Sequence, residues 1–211
     1  DTPLLDLSSF VVPTFAISTL SAGTAMRVAI NATPFLIPLL FQVGFGFDAV
    51  TTGTYLLAYF AGNLAMKSIT TPTLRLFGFR SVLTMNGLLA SGSIAACALL
   101  SPDTSEIIGF ALLFFAGLTR SMQFTALNTI GFADIAPTQR SSASTLSSMF
   151  QQVSMLLGIA IAAALLNLSQ MLRDAAAVGL PDFRLAFIMV GLLGALASLR
   201  FLALPPDAGA E

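Results

Sequence analysis

Two arginines stand in the middle of long uncharged stretches, and they are the side chains best placed to do chemistry. Arg27 has uncharged residues from 7 to 26 before it and from 28 to 47 after it. Arg120 lies between the uncharged stretches 107–119 and 121–133. A guanidinium keeps its proton, and placing it at the centre of a membrane helix costs about 2.5–3.5 kcal/mol. Each arginine is therefore either a substrate anchor or gating contact in a water-filled cavity, or a structural tie to backbone carbonyls of a neighbouring helix.

Helical spacing places further polar side chains near each arginine. Residues three or four positions apart lie on the same face of a helix. The cavity predicted from this spacing is lined by Arg27, Asn31, Tyr55, Tyr59, Arg120, Gln123 and Asn128. The two tyrosines either stack on a flat apolar substrate or serve as core aromatics with hydrogen-bonded hydroxyls. The sequence leaves both roles open.

The sequence lacks the residue types that most catalytic sites need. It contains no histidine, Cys97 is its only cysteine, and no aspartate or glutamate falls inside a long apolar stretch. A Ser-His pair, a metal site and a pair of acid–base carboxylates are therefore not expected. We predict that the protein is not an enzyme and has no metal or cofactor. Proton-coupled transport needs a group that titrates, so any proton carrier would lie outside this chain.

The composition places both arginines in a membrane. Of the 211 residues, 56% are apolar and only 9% are charged, whereas a soluble domain carries about a quarter charged residues. A soluble protein needs a charged surface, but lipid covers the outside of a membrane protein. The formal net charge of −1 indicates neither nucleic-acid binding nor strong attraction to anionic lipid.

Six membrane spans account for nearly the whole chain, because each apolar stretch exceeds the ~20 residues that cross a bilayer core. We predict an all-α polytopic membrane protein with spans at about 13–44, 48–70, 80–100, 105–132, 140–170 and 182–204. Residues 1–12 are interpreted as a linker cut from a longer chain, and 205–211 as a cytoplasmic tail. Pro34 and Pro38 give the first span a place to bend. An excess of Lys and Arg at one set of span ends predicts that both termini are cytoplasmic.

The first and fourth spans resemble each other. Both place Ala-Gly shortly before the arginine and an asparagine after it, in "AGTAMRVAIN" and "AGLTRSMQFTALN". Two three-helix units that begin with these spans would have opposite membrane orientations. Such a 3+3 inverted repeat is typical of secondary transporters, whose sites lie near the membrane midplane between the repeats.

A polar face on the fifth span predicts a packing surface. Its residues recur at helical spacing and are Ser144, Ser147, Ser148, Gln151, Gln152 and Ser154. Small polar side chains let membrane helices approach closely and hydrogen-bond. We therefore expect this face to pack against another helix bundle, with substrate contact as the alternative. The third and sixth spans have few polar residues besides Asn86 and Ser198, and we expect them to face lipid.

Three stretches, "MRVAINATPFLIPLLFQVGFGF", "SMQFTALNTIGFADIAP" and "SSASTLSSMFQQVSMLLGIA", carry a family resemblance. The chain resembles the C-terminal six-helix half of a major facilitator superfamily transporter, and most closely the fourteen-helix drug:proton antiporters (EmrB/QacA type). The resemblance implies that the first and fourth spans line a central cavity and that the second and fifth face an N-terminal bundle. It also implies that the proton-carrying acid lies in that N-terminal half.

The segment "LRLFGFRSVL" resembles a second copy of the superfamily's cytoplasmic gating motif, an aspartate followed by glycine and basic residues. Gly78 and Arg80 match this pattern, whereas Arg75 stands where the aspartate is expected. The resemblance therefore implies a gating loop at Arg75, Gly78 and Arg80 that lacks an acid-based latch.

These expectations combine into the C-terminal half of a proton-coupled exporter of small molecules or drugs, working by alternating access in the inner cell membrane. Its expected partners are the lipid bilayer, the N-terminal helix bundle, a small-molecule substrate and protons carried by residues outside this chain. Two alternatives stay open: a self-sufficient six-helix channel or permease that homodimerises, with Arg27 and Arg120 selecting anions, and a non-transporting membrane scaffold.

Overall fold

The computed structural model describes residues 7–205 and 208–209, and within them every regular element is helical. The α-helices of this part of the chain are α1 Pro13–Thr19, α2 Ala22–Leu39, α3 Ala49–Phe77, α4 Phe79–Ala96, α5 Glu106–Ala133, α6 Arg140–Leu172 and α7 Leu180–Arg200. Shorter 3₁₀ helices at Leu7–Val11, Cys97–Leu99, Pro137–Gln139 and Phe201–Ala203, and a π-helical turn at Leu40–Gly44, extend or connect them. The all-α prediction is confirmed.

Five segments of the described chain are long and apolar enough to cross a membrane. They are Pro13–Gly44, Phe79–Leu99, Glu106–Ala133, Pro137–Leu172 and Leu180–Ala203. The predicted second span, α3, has sufficient length at 29 residues but is more polar and is not among them. Five of the six predicted spans therefore have both the length and the hydropathy of a membrane helix, and α3 has the length alone.

The second span ends later than the sequence predicts. We expect an end near Thr70, but α3 continues through Pro72 to Phe77. Pro72 is exposed and supplies no backbone N–H, yet the helix continues through it to buried Leu74 in the last turns. Gly78 alone then connects α3 to α4, with a φ of +73° that favours glycine.

The first span is interrupted between α1 and α2. α1 ends at Thr19 and α2 begins at Ala22, so the break falls at residues 20–21. Pro34 and Pro38 lie inside α2, which is assigned as helix through both of them. The chain departs from α-helical geometry on that side only after Pro38, at the π-helical turn.

Helix packing follows a two-fold pattern. α3 packs against α5, α2 against α6, and α4 against α7. In a two-fold arrangement α2 corresponds to α5, α3 to α6, and α4 to α7. The α3–α5 contact then corresponds to the α6–α2 contact, and the α4–α7 contact corresponds to itself. Glycine permits the closest crossings: an added Cβ at Gly117 would lie 1.9 Å from the carbonyl oxygen of Tyr59, and one at Gly158 would lie 2.7 Å from that of Val28. The pairing agrees with two repeated three-helix units.

The described parts of both termini pack on the bundle. The ring centroid of Phe10 lies 5.4 Å from that of Phe15 and 5.6 Å from that of Phe150. Near the other end, an added Cβ at Gly209 would lie 2.8 Å from the ring of Phe79. The linker predicted at 1–12 is thus a packed 3₁₀ helix over Leu7–Val11. Residues 1–6 of that linker and 206, 207, 210 and 211 of the predicted tail lie outside the described residues.

Exposed apolar side chains are not confined to the two spans expected to face lipid. α4 exposes Met85 and Leu89, and α7 exposes Leu192 and Leu196. The other helices do so as well, with Leu57, Phe60 and Leu64 on α3 and Met149, Val153 and Leu156 on α6. α3 and α6 therefore present apolar surface of their own, in addition to their polar residues.

Candidate functional site

Arg27 ties the broken first span to α5. Its side chain is only 1% exposed. Nη1 donates a hydrogen bond to the carbonyl of Ser18, and Nη2 donates to Oδ1 of Asn128 at 3.0 Å. The Ser18 carbonyl lies in the last turn of α1, where carbonyls lack intrahelical partners and the helix dipole favours a cation. The charge of Arg27 therefore caps α1 and connects it, through Asn128, to α5.

The residues just before Arg27 explain why the chain can break there. The hydroxyl of Thr24 donates to the carbonyl of Thr19, so side chains of α2 bond two carbonyls at the end of α1. An added Cβ at Gly23 would lie 1.6 Å from the carbonyl oxygen of Ser18, so this close approach requires glycine. The segment "AGTAMR" thus supplies both the space and the donors that the break needs.

Arg120 occupies the corresponding place on α5 but is held more loosely. It is half-buried, and its Nη2 lies 3.5 Å from Oδ1 of Asn31, at the long limit of a hydrogen bond. Its Nε is buried and has no hydrogen-bond partner among the described residues. Arg120 and Tyr59 border a small cavity of about 10 Å³.

The two arginines make reciprocal contacts between α2 and α5. Arg27 on α2 reaches Asn128 on α5, and Arg120 on α5 reaches Asn31 on α2. A two-fold relation between the units would produce this exchange. The relation is approximate, because Asn31 follows Arg27 by one helical turn whereas Asn128 follows Arg120 by two.

Gln123 does not reach a cavity in this conformation. Its side chain is fully buried, and its amide nitrogen donates to the carbonyl of Leu83 at 3.1 Å. Its Oε1 accepts a hydrogen bond from Nδ2 of Asn86 at 2.9 Å, and the same Nδ2 donates to the carbonyl of Thr119. The structure therefore places Gln123 in the packing of α5 against α4. Asn86, the conspicuous polar residue of the third span, is the partner that the sequence did not connect to it.

The two tyrosines are core residues in this structure. The ring centroid of Tyr55 lies 4.6 Å from that of Phe41 and 4.5 Å from that of Phe110, with nearly parallel planes. Tyr59 is 1% exposed, and its hydroxyl has no partner among the described residues. Neither ring borders the large cavity described next, and the role of the two tyrosines at a substrate cavity stays a prediction.

An open cavity of about 1350 Å³ lies between α3, α5 and α6, at the end of the bundle that carries the predicted gating loop. Its basic residues are Lys67, Arg75 and Arg140, and its amides are Asn128 and Gln151. Phenylalanines and small residues complete the wall. No acidic side chain borders the cavity among the described residues. The cavity thus combines apolar surface with hydrogen-bond donors and positive charge, as a site for amphipathic molecules requires.

Asn128 is the one predicted cavity residue that borders this space, and Arg27, Asn31 and Arg120 do not line it. Asn128 also accepts the hydrogen bond from Arg27. Asn128 therefore lines the cavity and also connects Arg27 to α5.

The predicted packing face of α6 divides into two groups. Ser147 and Ser154 are buried within this chain, and Ser154 donates to the carbonyl of Phe150 at 2.6 Å. Ser147 nevertheless borders the large cavity, as several of its neighbours on this face do. The contact of this face with a second bundle stays a prediction. The remaining residues are exposed or half-exposed; Ser144, Ser148 and Gln151 border the cavity, whereas Gln152 does not.

The predicted gating loop borders the same cavity. Arg75 and Gly78 line it, while Arg80 is half-buried in the first turn of α4 and does not. Lys67, Thr71 and Arg75 recur every four residues along α3 and all line the cavity. That spacing was available in the sequence and would have placed Lys67 at the site.

A charge pair at the opposite end of the bundle holds the connection between α6 and α7. Nε of Arg173 donates to Oδ1 of Asp182 at 2.9 Å, and the N–H of Gly179 donates to Oδ2 at 2.8 Å. The hydrogen bond to Asp182 raises the pKa of Arg173 above its ordinary value. This cluster closes the turn between α6 and α7 and lies outside the predicted site.

The sequence profile of the Major Facilitator Superfamily matches residues 2–158 of the chain, well over half of it. The chain belongs to the major facilitator superfamily, and its apolar helices make it a multi-pass membrane protein.

Individual relatives match over most of the chain. The "Putative multidrug resistance protein MdtD" of Serratia proteamaculans is 31% identical over 212 residues, which cover 97% of this chain and 43% of that protein. The protein of the same name in Klebsiella pneumoniae strain 342 is 31% identical, with coverage of 98% and 44%. The "Probable transport protein HsrA" of Haemophilus influenzae is 32% identical over 165 residues, with coverage of 78% and 35%. The chain spans less than half the length of these relatives.

Proposed function

We propose that this chain is the C-terminal six-helix half of an exporter that moves small drug-like molecules across the inner cell membrane by alternating access, driven by proton antiport. Names of the relatives support the substrate class, and their greater length supports an N-terminal bundle as partner. The observation that carries the proposal is the cavity of about 1350 Å³, which opens at one end of a bundle of superfamily type. In this proposal that end, and both chain termini, face the cytoplasm.

The cavity wall supplies contacts that suit an amphipathic substrate. Phe124 and Phe132 offer apolar surface, and Asn128 and Gln151 offer hydrogen bonds that orient a ligand. Asn128 also accepts a hydrogen bond from Arg27. Movement of α5 on substrate release would therefore shift Arg27 and the break in the first span. The proton carrier belongs to another part of the protein in this proposal, since arginine does not titrate.

Transport into inverted membrane vesicles tests the proposal on the complete protein. A fluorescent amphiphilic dye is added, a pH gradient is imposed, and uptake is followed before and after the gradient is dissipated. We expect uptake that requires the gradient. Uptake that is the same with and without the pH gradient would favour the alternative of a six-helix channel or permease. No uptake of any dye in a chemically varied set would favour the alternative of a non-transporting scaffold.

Two tryptophan variants on neighbouring positions of α6 test the cavity. Ser148→Trp fills space at an exposed position in the wall, and Met149→Trp adds the same ring at a position 48% exposed that does not border the cavity. At equal protein levels we expect Ser148→Trp to lower the uptake rate about tenfold, equivalent to about 1.4 kcal/mol, and Met149→Trp to leave it near wild type. Full-rate uptake by Ser148→Trp would remove the cavity from the substrate path.

A further inference from the structure

The large cavity carries positive charge from three side chains, and no acidic side chain of the described part of the chain borders it. Lys67 and Arg75 lie on α3, and Arg140 is the first residue of α6. All three side chains are exposed. Among the described residues the one ion pair joins Arg173 to Asp182, at the opposite end of the bundle. The three cavity charges are therefore not neutralised by this part of the protein.

Lys67 carries the positive charge further along the cavity than the helix ends do. It lies ten residues before the end of α3 at Phe77, which is about 15 Å along the helix axis. The positive-inside rule accounts for basic residues near the ends of spans, but it does not require that they line a cavity. Arg200 shows the difference, because it lies in the last turn of α7, is exposed and does not line the cavity.

Apolar surface accompanies these charges. Phe124 and Phe132 lie about two helical turns apart on α5 and both line the cavity, with Asn128 between them. A ligand whose apolar body lies against these rings can reach the basic side chains of α3 and α6 with a charged group. A carboxylate or sulfonate accepts charge-assisted hydrogen bonds from lysine and arginine. A quaternary ammonium gains no such bond and is repelled by all three charges.

We propose that the cavity selects amphipathic organic anions, with Lys67 as the main specificity-determining residue and with Arg75 and Arg140 adding to the preference. This inference deepens the proposed function and rests on its assignment of the cavity to the substrate. A cleft lined by charge of one sign concentrates ligands of the opposite sign. Acidic side chains supplied to the cavity by an N-terminal bundle would cancel this field, so the preference is tested on the complete protein.

Two probes with the same aromatic ring and opposite fixed charges measure the preference. They are pyrenesulfonate and pyrenylmethyl-trimethylammonium, and neither changes its charge with pH. Equilibrium dialysis against the purified complete protein in an uncharged detergent gives both dissociation constants. We expect the sulfonate to bind about tenfold more tightly at low ionic strength, and the preference to shrink as salt is added. Equal affinity, tighter binding of the ammonium, or no binding of the sulfonate overturns the proposal.

Charge reversal at Lys67 locates the preference. Lys67→Glu reverses a charge in the cavity wall, and Arg200→Glu makes the same reversal at an exposed position outside it. We expect Lys67→Glu to weaken sulfonate binding about tenfold and to strengthen ammonium binding, while Arg200→Glu leaves both near wild type. Lys67→Gln, which only removes the charge, should lose part of the preference. A preference that survives in both Lys67 variants contradicts the proposal, as does an equal loss in Arg200→Glu.

Transport of the same two probes separates this inference from the proposed function. Uptake into inverted vesicles is driven by a pH gradient while the membrane potential is held at zero, so that the potential moves neither charge. We expect gradient-driven uptake of the sulfonate to be the faster of the two. Preferential binding of the sulfonate without gradient-driven uptake would contradict the transport proposal and support the anion site. Gradient-driven uptake of both probes at equal rates would support transport and overturn the anion preference.

Discussion

Each of the two three-helix units begins with a helix that carries an arginine, Arg27 on α2 and Arg120 on α5. The two arginines nevertheless have different surroundings. Arg27 is fully buried and bonded to a backbone carbonyl and to Asn128. Arg120 is half-buried and has one long contact to Asn31 in the described structure. An equal position in a repeat does not give an equal role. The guanidinium of Arg27 holds α1 and α5 in place, whereas the terminal nitrogens of Arg120 make only one long contact.

The Ala-Gly pairs that precede the two arginines explain the difference. Gly23 makes room for the end of α1, which brings the Ser18 carbonyl within reach of Arg27. Gly117 makes room for the backbone of α3 at Tyr59, and α5 runs unbroken from Glu106 to Ala133. An unbroken helix offers no unpaired carbonyls near its middle. The same dipeptide therefore creates a helix break in one unit and a close helix crossing in the other.

The largest effect is expected from filling the two glycines. An added Cβ would meet backbone oxygen at 1.9 Å for Gly117→Ala and at 1.6 Å for Gly23→Ala. Gly117→Ala should prevent accumulation of folded protein, because it separates α3 from α5, while Gly23→Ala should displace only the short α1. Both are compared by fluorescence-detected size-exclusion chromatography.

The matched controls for these variants are Gly53→Ala on α3 and Gly92→Ala on α4, where an added Cβ meets nothing within 4 Å. Both controls should behave as wild type or slightly better, because alanine favours helix over glycine. Equal accumulation of Gly117→Ala and Gly53→Ala would show that the crossing is not tight.

The second effect separates the arginines themselves. Arg27→Leu removes the donor of the Ser18 carbonyl, and a buried acceptor left unpaired costs about 1–3 kcal/mol; it also removes the bond to partly exposed Asn128. Arg120→Leu loses only a 3.5 Å contact, so its stability should stay within roughly 0.5 kcal/mol of wild type. Thermal unfolding of both purified variants in one detergent measures the difference. Equal losses would mean that the two arginines hold the fold alike.

The sequence predicts the helices well where charge and length mark their ends. α6 begins at Arg140, as predicted, and ends two residues beyond the predicted position, at Leu172. The break at residues 20–21 could not be predicted, because "SAGTAMR" contains no residue that forbids a helix. Only the arrival of Arg27 and Thr24 at the end of α1 makes the break favourable, and that is a tertiary fact.

The candidate site was predicted less completely than the fold. Helical spacing grouped Arg27, Asn128 and their polar neighbours on one face of each helix. A polar face can point either to a cavity or to another helix. Gln123 illustrates the problem, because its partner Asn86 lies 37 residues away in the chain. The large cavity forms between three helices, so its wall depends on how α3, α5 and α6 are arranged around it.

A smaller effect should distinguish the two asparagines. Asn128→Leu removes the acceptor of a 3.0 Å hydrogen bond from fully buried Arg27, whereas Asn31→Leu removes the acceptor of a 3.5 Å contact from half-buried Arg120. Hydrogen bonds to charged groups contribute about 1.5–3 kcal/mol, and long contacts contribute less. Asn128→Leu should therefore lower the unfolding midpoint more, and combining it with Arg27→Leu should add little further loss. An equal or larger loss from Asn31→Leu would reverse the comparison.

The smallest effect concerns the starts of α3 and α6, which correspond in the two units. Asp48 caps α3 by accepting a hydrogen bond from the N–H of Thr51 at 2.7 Å, whereas Gln139 before α6 makes no side-chain cap. That hydrogen bond lowers the pKa of Asp48 below its ordinary value. A lowered folded-state pKa gives stability that is present above the ordinary pKa and lost as pH falls through the folded value.

Asp48→Ala should therefore lower the unfolding midpoint slightly at neutral pH, and the difference from wild type should shrink as the pH falls below the ordinary pKa of aspartate. Asp48→Asn keeps an uncharged acceptor that also caps helices well, so its difference should be smaller and nearly independent of pH. Gln139→Ala should show no comparable loss of a cap, because α6 has none to lose. A gap between wild type and Asp48→Ala that persists unchanged in acid would mean that the aspartate stabilises α3 through something other than its charged cap.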